Sequence, residues 1–66
     1  MKLLINGEFR ETPALATVAD LAGWLDLPAF GTAIELNGAV IRRVDHPVTP
    51  LRDSDRLEVV RLVGGG

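Results

Sequence analysis

The residues with the most chemistry open to them are the last three, Gly64, Gly65 and Gly66, which follow the apolar pair Leu62-Val63. A terminal carboxylate has an unperturbed pKa of about 3.5, so it is ionised at neutral pH and can attack an electrophile. Attack on the α-phosphate of ATP would give an acyl-adenylate. A sulfur nucleophile would convert that species to a thiocarboxylate, and an amine would convert it to an amide. Either use requires the end of the chain to enter another protein's active site. Glycine suits that need, because no side chain blocks a narrow channel and the backbone can take the turn required. The competing reading is a frayed terminus with no role.

No other residue set offers comparable chemistry. His46 is the only histidine; it precedes Pro47 in a predicted loop and has no partner evident in the sequence, so it reads as a surface residue. Asp53 and Asp55 flank Ser54 in a turn, where carboxylates accept backbone hydrogen bonds, and a hard cation would want several more oxygens. Glycine-rich phosphate loops sit between a strand and a helix N-terminus, and Gly64 to Gly66 precede no helix. The absence of cysteine removes disulfides, thiolate metal sites and cysteine nucleophiles, and it fits a reducing compartment. No bound cofactor or metal is expected.

The elements that must position this end fit a single domain. The chain has 66 residues, 47% of them hydrophobic, and a net charge of −2 with both signs interspersed. One core is expected over residues 1–63, followed by a tail at 64–66. A chain of this size buries only about 60% of its unfolded surface, so each apolar position matters. The absence of a basic stripe argues against nucleic acid, and the apolar start Leu3-Leu4-Ile5 is too short for a signal peptide or a span. A soluble, cytoplasmic protein is expected.

Asn6-Gly7 separates Lys2–Asn6 from Glu8–Thr12 and predicts a two-residue hairpin, since both residues tolerate positive φ. Leu3 and Ile5 are assigned to the core, with Leu4 and Phe9 on the outer face; the opposite register is the alternative, since periodicity does not settle a three-residue apolar run. Thr17 to about Leu27 reads as the one helix, with Thr17 as N-cap, Asp20 favouring the first turn, Val18, Leu21, Ala22 and Leu25 on one stripe, and Pro28 ending it. Gly23 inside it costs about 1 kcal/mol relative to alanine, so packing must hold the helix. Asn37-Gly38 predicts a second hairpin between Ala33–Asn37 and Ala39–Arg43, with Ile34, Leu36 and Ile41 inward. Asp45–Pro50 reads as a loop, and Leu51–Asp55 as a turn. Arg56–Val63 is the last strand, with Leu57 and Val59 facing one way and Glu58, Val60 and Leu62 the other.

This order predicts an α+β fold, a β-grasp. Its mixed sheet of four or five strands would have one helix across one face, the first and last strands side by side, and the C-terminus projecting from the sheet edge. On the outer face Val60, Leu62, Leu4 and Phe9 would form one apolar patch beside the tail. Such a patch would be a partner surface, against the alternative of scattered surface apolars.

The chain resembles the ThiS family, the sulfur carriers of thiamine (thiazole) biosynthesis, over essentially its full length. The resemblance rests on Asn6-Gly7-Glu8, Thr17-Val18-Ala19-Asp20-Leu21, Leu36-Asn37-Gly38 with Val40, Ile41 and Arg43, and Thr49 through Val60. It closes on Val63-Gly64-Gly65-Gly66. The family usually has glycine where Ser54 stands, which suggests a looser turn here, because serine does not favour positive φ. His46 and Trp24 are also untypical, and both read as structural or neutral. The resemblance implies that Gly66 is the modified residue, with Gly64 and Gly65 threading into partners. A ThiF-like adenylyltransferase would use ATP to adenylate Gly66. Sulfur from a donor of the cysteine desulfurase type would replace AMP, and a ThiG-like thiazole synthase would receive it. The protein would then be a carrier and cosubstrate, not an enzyme. The alternatives are a MoaD-like carrier for molybdopterin synthesis, a ubiquitin-style protein modifier, and a β-grasp interaction module with an inert tail.

Overall fold

Asn6 and Gly7 take φ of 50° and 81°, and Asn37 and Gly38 take 51° and 90°. Positive φ at both central residues is what a type I′ turn requires, and its twist matches that of paired strands. Both Asn-Gly pairs therefore close two-residue hairpins: Ile5 faces Glu8 across the first, and Leu36 faces Ala39 across the second. The computed structural model describes residues 1–28 and 30–61. Its elements are β1 (Lys2–Ile5), β2 (Glu8–Glu11), α1 (Val18–Trp24), β3 (Thr32–Leu36), β4 (Ala39–Ile41), a 3₁₀ helix (Arg43–Val48) and β5 (Arg56–Arg61).

The five strands form one sheet in the order β2-β1-β5-β3-β4. β5 runs parallel to β1 and antiparallel to β3. This is the β-grasp arrangement, with the first and last strands adjacent as expected. The last strand occupies the middle of the sheet, however, so the chain leaves from the end of a central strand and not from a lateral edge.

Helix α1 is short because both ends are strongly marked. The Thr17 hydroxyl accepts from the Asp20 backbone N–H at 3.3 Å, and the Asp20 carboxylate accepts from the N–H groups of Thr17 at 3.1 Å and Ala16 at 3.0 Å. Asp20 thus completes a reciprocal capping box as well as placing charge at the helix start. At the other end Leu27 N–H bonds the Ala22 carbonyl and Asp26 N–H bonds that of Gly23. Asp26 takes φ of 54°, which makes this a Schellman motif. The helix therefore stops at Trp24, before Pro28 is reached, and not at Leu27.

The sequence reading misses two further features. Arg43–Val48 forms a 3₁₀ helix where a proline loop is expected; the Thr49 hydroxyl donates to the Asp45 carbonyl at 2.6 Å. Leu51, assigned to a turn, is buried with Leu3, Ile5, Val18, Leu21, Ile34 and Leu57 in the core between helix and sheet. Its N–H donates to the Ala16 carbonyl, and Val18 N–H donates to that of Thr49, so the helix N-terminus is tied down at this point. Burying each such side chain contributes about 1.5–3 kcal/mol. No helix among the described residues is long and apolar enough to cross a membrane.

Candidate functional site

Strand β5 is the element that would present the C-terminal residues, and it is held from both sides. Thr32, Ala33, Ile34, Glu35 and Leu36 of β3 pair with Arg61 back to Leu57. On the other flank β1 pairs only with Arg56 and Leu57. Beyond that point the Asn6 side chain takes over. Its carbonyl oxygen accepts from Val59 N–H at 2.7 Å, and its amide donates to the Val59 carbonyl at 3.2 Å. A side-chain amide here continues the hydrogen-bonding pattern after the strand itself has ended.

The start of β5 is clamped by a second amide. The Asn37 oxygen accepts from Arg56 N–H at 3.0 Å, and its nitrogen donates to the Asp55 carboxylate at 3.0 Å. Asp55 also accepts from Arg52 N–H at 2.8 Å, while Asp53 accepts from Lys2 N–H at 2.6 Å. Asp55 thus closes its own turn, whereas Asp53 ties that turn to the start of β1. Ser54 adopts φ of 70°, so serine is held in the left-handed conformation and the looser turn expected from it does not occur. The sequence reading treats both Asn-Gly pairs as turn formers alone. That these asparagines also clamp a distant strand follows only once β5 lies between them.

Leu4 and Phe9 are cross-strand partners on the outer face, with the Lys2 ammonium 4.5 Å from the Phe9 ring centroid. Phe9 is 62% exposed. Val60 is also exposed on this face, opposite Ala33. It does not adjoin the Leu4–Phe9 pair. The β5 neighbour of Leu4 is Arg56, and Val60 lies four residues further, about 13 Å at strand spacing, with Glu58 between them. Along the described residues the expected single patch is therefore divided in two. Leu62, Gly64, Gly65 and Gly66 lie outside the described residues.

His46 is half-buried on the 3₁₀ helix, its Nε2 3.1 Å from the Ile41 carbonyl oxygen, so a structural contact occupies one ring nitrogen. Trp24 packs partly against the core, with the Arg10 guanidinium 4.9 Å from the centroid of its ring.

A family model for the ThiS family matches residues 3–66, nearly the whole chain and all three terminal glycines. The chain belongs to the ThiS family. The crystal structure of the thiamine biosynthesis protein ThiS from Geobacter metallireducens superposes with a TM-score of 0.84 at 30% identity, each chain covered in full. This agreement confirms the β-grasp fold. A thiazole synthase of Paramagnetospirillum magneticum is 38% identical over 66 residues, all of this chain but only 20% of that protein. The ThiS-family chain thus spans a fifth of that relative's length. The uncharacterized protein ycf40 of Pyropia yezoensis is 33% identical over 66 residues, 100% of this chain and 93% of its own.

Proposed function

We propose that this chain is a sulfur carrier of thiamine biosynthesis whose working group is the Gly66 carboxylate. The observation that carries the reading is the ThiS-family match running through residue 66. In a ThiF-like adenylyltransferase the carboxylate oxygen attacks the α-phosphate of ATP, giving the acyl-adenylate and releasing pyrophosphate. A donor of the cysteine desulfurase type presents its sulfur as a persulfide; the outer sulfur displaces AMP to give an acyl disulfide, and a thiol then cleaves the S–S bond, leaving the thiocarboxylate and a new disulfide. A ThiG-like thiazole synthase takes the sulfur for the thiazole ring. Support for this acceptor comes from the thiazole synthase that contains a segment similar to the whole chain. The chain acts as a carrier, and the catalysis belongs to its partners. Gly64 and Gly65 let the end thread into their sites, while half-buried Leu4 and exposed Phe9 and Val60, with Leu62, dock against them.

Intact-mass analysis tests the reading after incubation with ATP, the activating partner and the sulfur donor. A carrier gains the mass difference of sulfur replacing oxygen at its C-terminus. An unchanged mass with partners that load another carrier would sink the proposal. Loading without transfer to a thiazole synthase would indicate a carrier for a different pathway, such as molybdopterin synthesis.

A further inference from the structure

Strand β5 aims its backbone groups alternately at its two neighbours. Arg56 is turned toward β3: its N–H meets the Asn37 side chain, and its carbonyl accepts from Asn37 N–H at 2.8 Å. Asp55, Leu57 and Val59 are turned toward β1. The carbonyls of Asp55 and Leu57 accept from Leu4 and Asn6 N–H, and the Asn6 carboxamide takes both backbone groups of Val59. Arg61 lies two residues beyond Val59 in the same strand, so its N–H and carbonyl face that same flank. But β1 ends at Ile5, the chain turns away at Asn6-Gly7, and the pairing with β5 stops at Leu57. Among the described residues no strand stands beside Arg61 on this side. Its backbone donor and acceptor open onto a notch in the sheet, just past the first hairpin turn.

An unpaired strand edge is a template for another chain, and proteins commonly blunt such edges with charges or keep them short. The two outer edges of this sheet follow that rule: β2 is Glu-Phe-Arg-Glu, and β4 has three residues. The notch differs, because it lies on a central strand whose other flank is paired with β3 as far as Arg61. A strand added here would meet an edge already held in place. Asn6 shows what that edge takes. Its carboxamide, one donor and one acceptor, pairs with the acceptor and donor of Val59. Arg61 offers the same two groups to the next amide in line.

We propose that the notch receives an extended backbone segment of the activating partner, added as a strand beside Arg61. The partner's identity rests on the carrier reading above. The occupant is backbone because the groups to be matched are one N–H and one C=O at strand spacing, which strand addition satisfies. A protein that encloses Gly66 has to run alongside the five positions that follow Arg61, about 17 Å when extended. Adenylation makes a strict demand on that register, because the carboxylate oxygen must be held in line with the α-phosphate. A second copy of this chain fits less well. Pairing through Arg61 would set two guanidinium groups side by side, and like charges opposed on paired strands are destabilising. The added strand would also bring a side chain against exposed Val60, so backbone pairing and apolar contact act together.

Amide hydrogen exchange in the full chain, alone and with the activating partner, reads the pairing directly. Arg61 N–H should exchange at least about tenfold more slowly in the complex, while Val60 N–H, turned toward β3, changes little. Arg61→Pro and Arg61→Ala separate backbone from side chain: both remove the guanidinium, and only proline removes the N–H. Proline is tolerated where the N–H side of a strand faces solvent. Arg61→Pro should therefore melt within about 2 °C of Arg61→Ala, whereas Val60→Pro should melt far lower. KM for loading should be at least about fivefold higher for Arg61→Pro than for Arg61→Ala, one hydrogen bond's worth. A backbone ester in place of the Arg61 amide, which leaves φ free, should raise KM likewise. Unprotected Arg61 in the complex, equal KM for the proline and alanine variants, or protection of Arg61 that grows with chain concentration alone would each overturn the proposal. Failure of the parent chain to load sinks the carrier reading; loading with Arg61 unprotected sinks only the strand pairing.

Discussion

The Asn6 carboxamide exchanges two hydrogen bonds with the backbone of Val59, a residue 53 positions away. The same asparagine forms the first hairpin turn with φ of 50°. One residue therefore sets the geometry of the N-terminal hairpin and supports the strand leading to the C-terminus. The two roles can be separated by substitution. Asn6→Gly keeps the turn conformation and removes the clamp. It should cost about 1–2 kcal/mol in urea denaturation, with lost amide protection from Val59 to Arg61. Asn6→Ala adds the left-handed penalty of about 1–2 kcal/mol to that loss. An Asn6→Gly variant as stable as the parent would show that the clamp contributes nothing.

Ser54 and Asp26 hold φ of 70° and 54°, where glycine has no Cβ penalty. Ser54→Gly and Asp26→Gly should each raise stability by about 0.5–1 kcal/mol, after allowing for the added freedom of the unfolded chain. In a domain of this size, about 1 kcal/mol moves Tm by about 4–8 °C. A lower Tm for Ser54→Gly would mean that the serine side chain has a favourable role that its backbone strain conceals.

Glu35 and Glu58 stand directly opposite each other across β3 and β5, both on the outer face. Like charges so placed are destabilising. Glu35→Lys should gain about 0.2–1 kcal/mol, and the gain should shrink as salt screens the pair. Thermal melts at low and high ionic strength provide the check. A gain independent of salt would assign the effect to strand propensity instead.

Val60 is 46% exposed, so Val60→Asp should lower stability by no more than about 1 kcal/mol. Docking of the activating partner should weaken by about tenfold or more if this face is the contact surface. Phe9→Ser probes the separate Leu4–Phe9 pair. Because the two apolar areas do not adjoin, one substitution can affect one partner and spare another, which calorimetric titration with each would resolve.

Deleting Gly66 should abolish sulfur loading with Tm unchanged, because glycine has no side chain to contribute to a core. Loading that survives the deletion would place the chemistry at another group.

Local signals in the sequence were enough for the hairpins, the N-cap and the helix stripe. Asn6-Gly7 and Asn37-Gly38 encode their turns through φ preferences that operate over two residues. Thr17 and Asp20 do the same for the start of α1. Alternation along β5 put Leu57 and Val59 on one face, since a strand's period of two depends on nothing beyond the strand, whereas the apolar run Leu3-Leu4-Ile5 allowed either register and the packed sheet decided for Leu3 and Ile5 as core. The Gly64-Gly65-Gly66 run marked the candidate chemistry because the lack of a side chain is a property of residue type, independent of fold.

What the tertiary structure decided depends on contacts between distant residues. Leu51 is core because its segment lies against the helix N-terminus, a pairing that no local pattern encodes. β5 is central because β1 and β3 approach it from opposite sides, and only then can Asn6 and Asn37 clamp it. The outer apolar residues are divided because the parallel register places Arg56, and not Val60, beside Leu4. Residue type determined which groups could act, and strand register, which is set by pairing across the whole chain, determined which of them meet.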